Sequence, residues 1–359
     1  MLSEREINFS YDYRMRCENC PASNLLSAES YHSLSGTGVT TCSSCGHDFN
    51  FGPRVIDVRD PEDEALDASK IPQLFWYHTT TDPEWPQALW ELPEKELRHL
   101  RRTAQWPEEE IERHRRIYEN QALHVGTYEA AIESMLRRIN EQGDRGSVFY
   151  LYRVRLRTDL RIAPNWRDEN QEQAAKITRM DLAAEEWDGL RYLNAYESMG
   201  SISLALVRTA IESTQRIRLP ISGQVGPPSD ALMANIRSYR QRVQDIRATS
   251  ADRPPSALDE LRRRAAERQG TTLHTPFPPE IHVVLKEMED YLSDQYLAEV
   301  SPVVRSDFLR AVGRPTAMSD DEAYGKWLKE FRDMAILLTR AGDVLKALDD
   351  QPLQEVGTG

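Results

Sequence analysis

The sequence has no run approaching the ~18–20 consecutive apolar residues that a membrane-spanning helix needs. Its start, Met1-Leu-Ser-Glu-Arg-Glu6, has no apolar signal core. The expectation is a cytoplasmic protein that does not engage a membrane. Positive charge is in short supply, with 45 Lys and Arg against 58 Asp and Glu and a formal charge of -13. That balance disfavours a general electrostatic grip on nucleic acid, whose affinity comes largely from neutralising phosphates, and leaves room only for a local basic patch. Internal repeats and low-complexity tracts are absent. Cysteine is scarce, at four residues.

What is present fits a folded chain. At 359 residues, 40% hydrophobic and 29% charged, it falls in the range of globular proteins and has length for two or three domains with a sizeable core.

The four cysteines form two pairs, Cys17-Glu-Asn-Cys20 and Cys42-Ser-Ser-Cys45, with residues 21–41 between them. A two-residue spacer lets one tight turn aim both sulfurs at a single tetrahedral ion, and the long spacer brings a second turn round to complete the shell. Gly46 suits such a turn. The pattern points to one structural zinc held by Cys17, Cys20, Cys42 and Cys45 in a zinc-ribbon segment, residues 1–56. His32 and His47 are the alternative donors. Two disulfides are opposed by a reducing cytoplasm, and a thioredoxin-like redox pair would need a βαβ context. A closed four-thiolate shell has no position for substrate, so its role is to stabilise a fold or to recognise a partner.

Beyond it, Asp57 to Asp67 is acidic without an apolar period and reads as a surface linker. Leu74 to His78 has strand character, and 91–121 reads as one or two exposed helices interrupted near Pro107. Ala122 to Gly126 is a short strand, with Thr127 placed to cap a helix over Glu129 to Ile139 that Gly143 and Gly146 close. Ser147 to Arg157 alternates with period two and reads as a strand. Asp181 to Asp188 reads as a short helix and Ser201 to Val207 as a strand. Past Gln224-Val-Gly-Pro-Pro228 strand signals vanish, and amphipathic helices broken at Pro254-Pro255 and at Pro276 to Pro279 fill residues 228–355. The Leu261-Arg-Arg-Arg264 run reads as the solvated face of a charged helix before it reads as a phosphate-facing patch.

Polar and aromatic residues recur at the strand ends between Ile71 and Val207: Tyr77-His78-Thr79, then His124-Val-Gly-Thr127-Tyr128, then Tyr192-Leu-Asn194-Ala-Tyr196-Glu197. Clustered strand ends make one cleft. Taken singly, each residue has a plainer reading. A histidine at a strand end is more often hydrogen-bonded structure than chemistry. His124, inside an apolar strand, reads as a satisfied core residue, and Tyr150 and Tyr152 as cross-strand packing. Arg153, Arg155 and Arg157 share one strand face, which suits either solvent or an acidic group such as pyrophosphate.

The order of these motifs resembles the ADP-ribosyltransferase-like superfamily. Trp76-Tyr77-His78-Thr79-Thr80 looks like its first motif, Leu123-His-Val-Gly126-Thr127 its second strand-to-helix step, and Tyr192 to Glu197 before Gly200-Ser-Ile-Ser203 its third. The resemblance implies an α+β chain in which a mixed α/β domain with a split β-sheet, residues 70–222, lies between the zinc ribbon and a helical C-terminal domain. It further implies NAD as substrate, with Glu197 and His78 as the catalytic pair and Tyr77, His78, Thr79, Thr127, Tyr128 and Tyr196 around the dinucleotide. Glu185 and Glu186 are the fallback carboxylates. The implied activity is transfer of ADP-ribose to RNA, DNA or protein, in a toxin or phage-defence setting with an antitoxin or regulatory protein as a further partner. The alternatives are an NAD glycohydrolase and a non-enzymatic zinc-ribbon module that binds nucleic acid or protein.

Overall fold

Apolar residues in the N-terminal part alternate over runs too short for a stable helix, and the chain pairs them into short strands. In a computed structural model, residues 2–34, 38–87, 92, 94–169, 176–221, 226–251, 264, 278–315 and 320–356 are described. Strand β1 (Tyr13–Arg16) buries Tyr13 and Met15 and pairs antiparallel with β2 (Ser23–Leu26). After α1 (Ala28–Leu34), β3 (Val39–Thr41) pairs antiparallel with β4 (Asp48–Asn50). Cys17 and Cys20 lie in the β1–β2 turn, Cys42 and Cys45 in the β3–β4 turn.

Eight further strands build two four-stranded sheets. One contains β5 (Trp76–Thr80), β7 (Phe149–Leu156), β11 (Ile211–Leu219) and β12 (Gln354–Glu355), in the order β12-β11-β7-β5. The other contains β6 (Leu123–Val125), β8 (Ile162–Asp168), β9 (Gly189–Leu193) and β10 (Ile202–Leu206), in the order β6-β10-β9-β8. Pairing is antiparallel except between β8 and β9. The sheets touch at one bridge, where Tyr77 and Gly126 exchange backbone hydrogen bonds of 2.9 Å in each direction. That seam brings the β5 motif beside the β6 motif.

Helix α2 (Glu94–Arg102) and α3 (Glu108–Glu119) share a small core of Leu92, Leu100 and Ile111. Helix α4 (Tyr128–Glu141) starts where Thr127 Oγ1 accepts the Ala130 N–H at 3.0 Å, and it packs on β5. The short α5 (Arg179–Ala184) opens with a capping box of Thr178 and Asp181. The later helices are α6 (Asp230–Ala251), α7 (Pro279–Tyr296), α8 (Pro302–Val312), α9 (Asp321–Thr339) and α10 (Ala341–Asp349). No helix among the described residues is long and apolar enough to cross a membrane.

The chain divides into two compact units. The first is Met1–Ile221, Glu299–Ala311 and Ile336–Gly359 and holds the cysteine module and both sheets; the second is Ser222–Ala298 and Val312–Ala335. In the second, α6 and α7 pack together and bury Leu232, Ile236, Ile281, Leu285 and Met288. In the first, α10 lies on β11, where Gln215 Nε2 donates to the Leu348 and Gln351 carbonyls at 3.0 and 2.8 Å.

Several elements differ from the sequence reading. Strands β8, β9 and β11 were not expected. Pro164 interrupts the pattern of β8, β9 is short and buried throughout, and β11 carries Thr214 and Gln215 inward. In β9 the Arg191 guanidinium donates to the carbonyls of Leu66 and Pro164, so backbone oxygens replace water around a charged residue at a core position. Asp57 to Asp67 is not a free linker. Asp57 donates its N–H to the Arg14 carbonyl at 2.9 Å, and Ala65 is fully buried. The C-terminal stretch is not wholly helical, since β12 closes the edge of a sheet. Pro254-Pro255, Pro276 and the Leu261 to Arg263 run lie outside the described residues.

Candidate functional site

The cysteine module is the more compact of two polar constellations in the first unit. Its four sulfurs lie within 4.8 Å of one another, with Cys17 Sγ and Cys45 Sγ 3.7 Å apart and Cys20 Sγ and Cys42 Sγ also 3.7 Å apart. All four are free thiols. Tetrahedral metal–sulfur bonds of ~2.3 Å require sulfurs about 3.8 Å apart, so this donor set fits a four-coordinate metal and is compatible with zinc. The Asn19 N–H donates to Cys17 Sγ at 3.4 Å. The Cys45 and Ser44 amides bring the Cys42 thiol down to about 6, whereas at Cys20, against the pull of the Ala22 amide, burial and the neighbouring thiols push the thiol up to about 12. Cys17 and Cys42 are buried and Cys45 is exposed, which places the centre at the surface.

The second constellation is a cleft of about 210 Å³ lined by residues from β5, β6, α4, β9 and β10 and from the segments that follow β8 and β9. Tyr77, His78 and Thr79 come from β5, and Glu197 from the turn after β9. At the floor Gly126 approaches β10 so closely that an added Cβ would lie 2.6 Å from Ser203 Oγ and 2.9 Å from Ala130 Cβ. Asn194 donates to Ser201 Oγ at 3.0 Å and to Ser203 Oγ at 2.6 Å, which fixes the start of the turn that carries Glu197.

Glu197 is 8% exposed and forms an ion pair with Arg137 of α4. Burial pushes its carboxyl up from the usual range, and Arg137 pulls it back. A second carboxylate faces the same space. Glu169, just past β8, accepts the Ala195 N–H at 2.9 Å and is pushed up to about 7, first by burial and further by the Glu197 charge. His78 stacks on Trp85 with ring centres 4.4 Å apart, and burial lowers its pKa to about 3, so the ring is neutral at pH 7. The cleft therefore offers an Arg-held carboxylate, a neutral imidazole and a carboxyl that titrates near neutrality.

Other expected residues sit elsewhere. Thr127 is occupied as the cap of α4. Tyr128 is buried, and its hydroxyl donates to the Leu337 carbonyl at 2.9 Å. Tyr196 is 47% exposed, with the Arg137 guanidinium 5.7 Å from its ring centre. None of these three is among the residues lining the cleft. Tyr77 lines it, although its hydroxyl is engaged by Glu4 at 2.6 Å. Glu186 is exposed and pairs with Arg161, and Glu185 lies at the end of α5, so neither fallback carboxylate reaches the site.

His124 corrects the core reading. It is half-buried, lines the cleft and holds Nδ1 3.1 Å from the Tyr192 hydroxyl. The arginines of β7 and Arg157 just past its end do not form a solvent face or an anion site either. Arg153 is buried between Glu4, Asp349 and Gln215, Arg155 pairs with Glu212, and Arg157 pairs with Asp159. Arg137 and Glu169 went unseen in the sequence. Arg137 looks like one more charge on an amphipathic helix, and Glu169 follows a strand that the pattern did not reveal.

No family model matches the chain, and no curated protein and no solved structure matches it.

Proposed function

We propose that the cleft binds NAD and transfers its ADP-ribose part to a macromolecule, the activity implied by the resemblance to ADP-ribosyltransferase-like proteins. The observation that carries this reading is the buried Glu197 carboxylate, set in one cleft with His78 of the first motif. Breaking the bond between nicotinamide and ribose sends the electron pair out with nicotinamide and leaves positive charge at the sugar carbon. A fixed carboxylate in a dry site stabilises that charge far better than water does. Glu197 supplies it, and the ion pair with Arg137 favours its charged form against burial and aims it. His78, neutral at pH 7, exchanges hydrogen bonds with a ribose hydroxyl without adding a competing positive charge.

The split arrangement of two small sheets joined at Tyr77 and Gly126 agrees with the fold this superfamily implies. A cleft of about 210 Å³ is below the roughly 300–1,000 Å³ of drug-sized pockets and suits the nicotinamide riboside end of the dinucleotide. In the same reading the cysteine module carries a structural zinc, since a closed thiolate shell has no position for substrate. The acceptor, whether RNA, DNA or protein, is recognised outside the cleft.

The test is nicotinamide release from NAD by the purified protein and its Glu197→Gln variant, with and without RNA, DNA or cell extract. Release is expected to fall at least about a hundredfold in the variant, which keeps the volume and loses the charge. Label carried into one class of macromolecule names the acceptor, and free ADP-ribose alone identifies a glycohydrolase. No release by the wild-type protein under any of these conditions contradicts the proposal.

A further inference from the structure

The turn that presents Glu197 is an unusual piece of chain. Ser198 is fully buried with φ at 46°, a left-handed conformation that costs a non-glycine residue energy, and Gly200 follows at 84°. Internal hydrogen bonds of 2.9 Å close the turn, from Gly200 N–H to the Asn194 carbonyl and from Ser201 N–H to the Ser198 carbonyl. Such a conformation persists only where its surroundings over-determine it.

Two side chains from distant segments do so. Glu133 of α4 accepts the Ser198 N–H on Oε2 at 2.6 Å and the Tyr11 hydroxyl on Oε1 at 2.7 Å. Arg59 donates from Nη1 to Ser198 Oγ at 3.1 Å, lies 4.0 Å from the Tyr11 ring centre, and gives its backbone N–H to the Gly200 carbonyl at 2.9 Å. Arg59 is in turn tied to the cysteine module. Ile56 bridges Met15, and Asp57 donates to the Arg14 carbonyl on β1, the strand that runs into Cys17. Two further contacts run the same way: Arg16 pairs with Asp168 at 2.5 Å, next to Glu169, and the Tyr31 hydroxyl reaches Met199 Sδ at 3.6 Å.

We infer that Arg59 and Glu133 are positioning residues for Glu197, and that through them the cysteine module clamps the cleft carboxylate in place. Neither residue lines the cleft, so each acts only through the turn. A metal-filled module holds β1, β1 holds residues 56–59, and these hold Ser198 and Gly200. The catalytic consequence rests on the reading of the cleft given above, whereas the mechanical coupling does not.

The experiment compares the wild-type protein with Arg59→Ala, Arg59→Lys, Glu133→Ala and Glu133→Gln. Three quantities are measured: zinc content, backbone hydrogen exchange over residues 197–201, and kcat and KM for nicotinamide release. In Arg59→Ala and Glu133→Ala, exchange in that turn is expected to rise at least tenfold while bound zinc stays at the wild-type level. In the same variants kcat falls about tenfold and KM changes less than twofold, because binding groups elsewhere in the cleft are untouched. Glu133→Gln restores both readouts, since its amide carbonyl still accepts the Ser198 N–H, and Arg59→Lys restores neither because an ammonium lacks the planar group that lies over the Tyr11 ring while reaching Ser198. Chelation of the metal from the wild-type protein raises exchange in the same turn. Unchanged exchange over 197–201 in both alanine variants overturns the inference. If the wild-type protein releases no nicotinamide, the functional reading fails, and hydrogen exchange still decides the coupling.

Discussion

The cysteine module and the cleft belong to one unit of the molecule and gather polar atoms in opposite ways. The module takes all four sulfurs from two turns, each closing a short hairpin, so within each pair the ligands are neighbours along the chain as well as in space. The cleft draws on strands from both sheets and on a helix, and no two of its principal groups, His78, Arg137, Glu169 and Glu197, are near in sequence. A local site survives in sequence as a motif. A distributed site exists only once the sheets have met at Tyr77 and Gly126.

The sharpest way to separate the two regions is to remove one sulfur. Cys17→Ser is expected to abolish stoichiometric zinc and unfold residues 1–56, at a cost of several kcal/mol, because metal affinity there is folding free energy. Metal content and thermal melting check it, and retained zinc with unchanged melting would count against the module.

Next in size, Gly126→Ala should strike the cleft and spare the module. The new Cβ would meet Ser203 Oγ and Ala130 Cβ at 2.6 and 2.9 Å. Overpacking of that kind costs about 1–3 kcal/mol in denaturant unfolding, with zinc content unaltered.

The smallest effect is one of pH and concerns Glu133, which lies between the regions. Burial pushes its carboxyl up to about 8 from an ordinary 4.5, so the folded protein keeps a proton that the unfolded chain releases. Stability is therefore lost as pH rises from about 4.5 to about 8. Glu133→Gln removes that titration. It should be more stable than the wild type by about 1 kcal/mol or more at pH 8, with the difference gone at pH 4. His78 slopes the other way. Its pKa, lowered to about 3, costs stability as pH falls from about 6.5 towards 3, so acid melts of the two proteins should share one limb.

Legibility in the sequence followed the same division. The cysteine pairs, the Thr127 cap and strand β7 were readable because each is a short-range pattern with one physical cause. Strands β8, β9 and β11 were not, because they carry polar residues inward, of which Arg191 and Gln215 find their partners far along the chain. The acidic stretch after Ile56 misled for a related reason. Its charge suggests a linker, yet its backbone pairs with β1 and with Gly200. Within the cleft, His78 and Glu197 stood out in the sequence as strand-end residues, although His78 lies at the middle of β5, whereas Arg137 and Glu169 became visible only through what they face.

The central claim is that this cleft holds NAD. Its most direct test is equilibrium dialysis of NAD against the Glu197→Gln protein, which should bind without consuming it, beside a Glu197→Gln, His78→Leu double variant. One NAD bound per chain, weakened at least about tenfold by loss of the imidazole, is the expected result. No saturable binding to either protein would contradict the account.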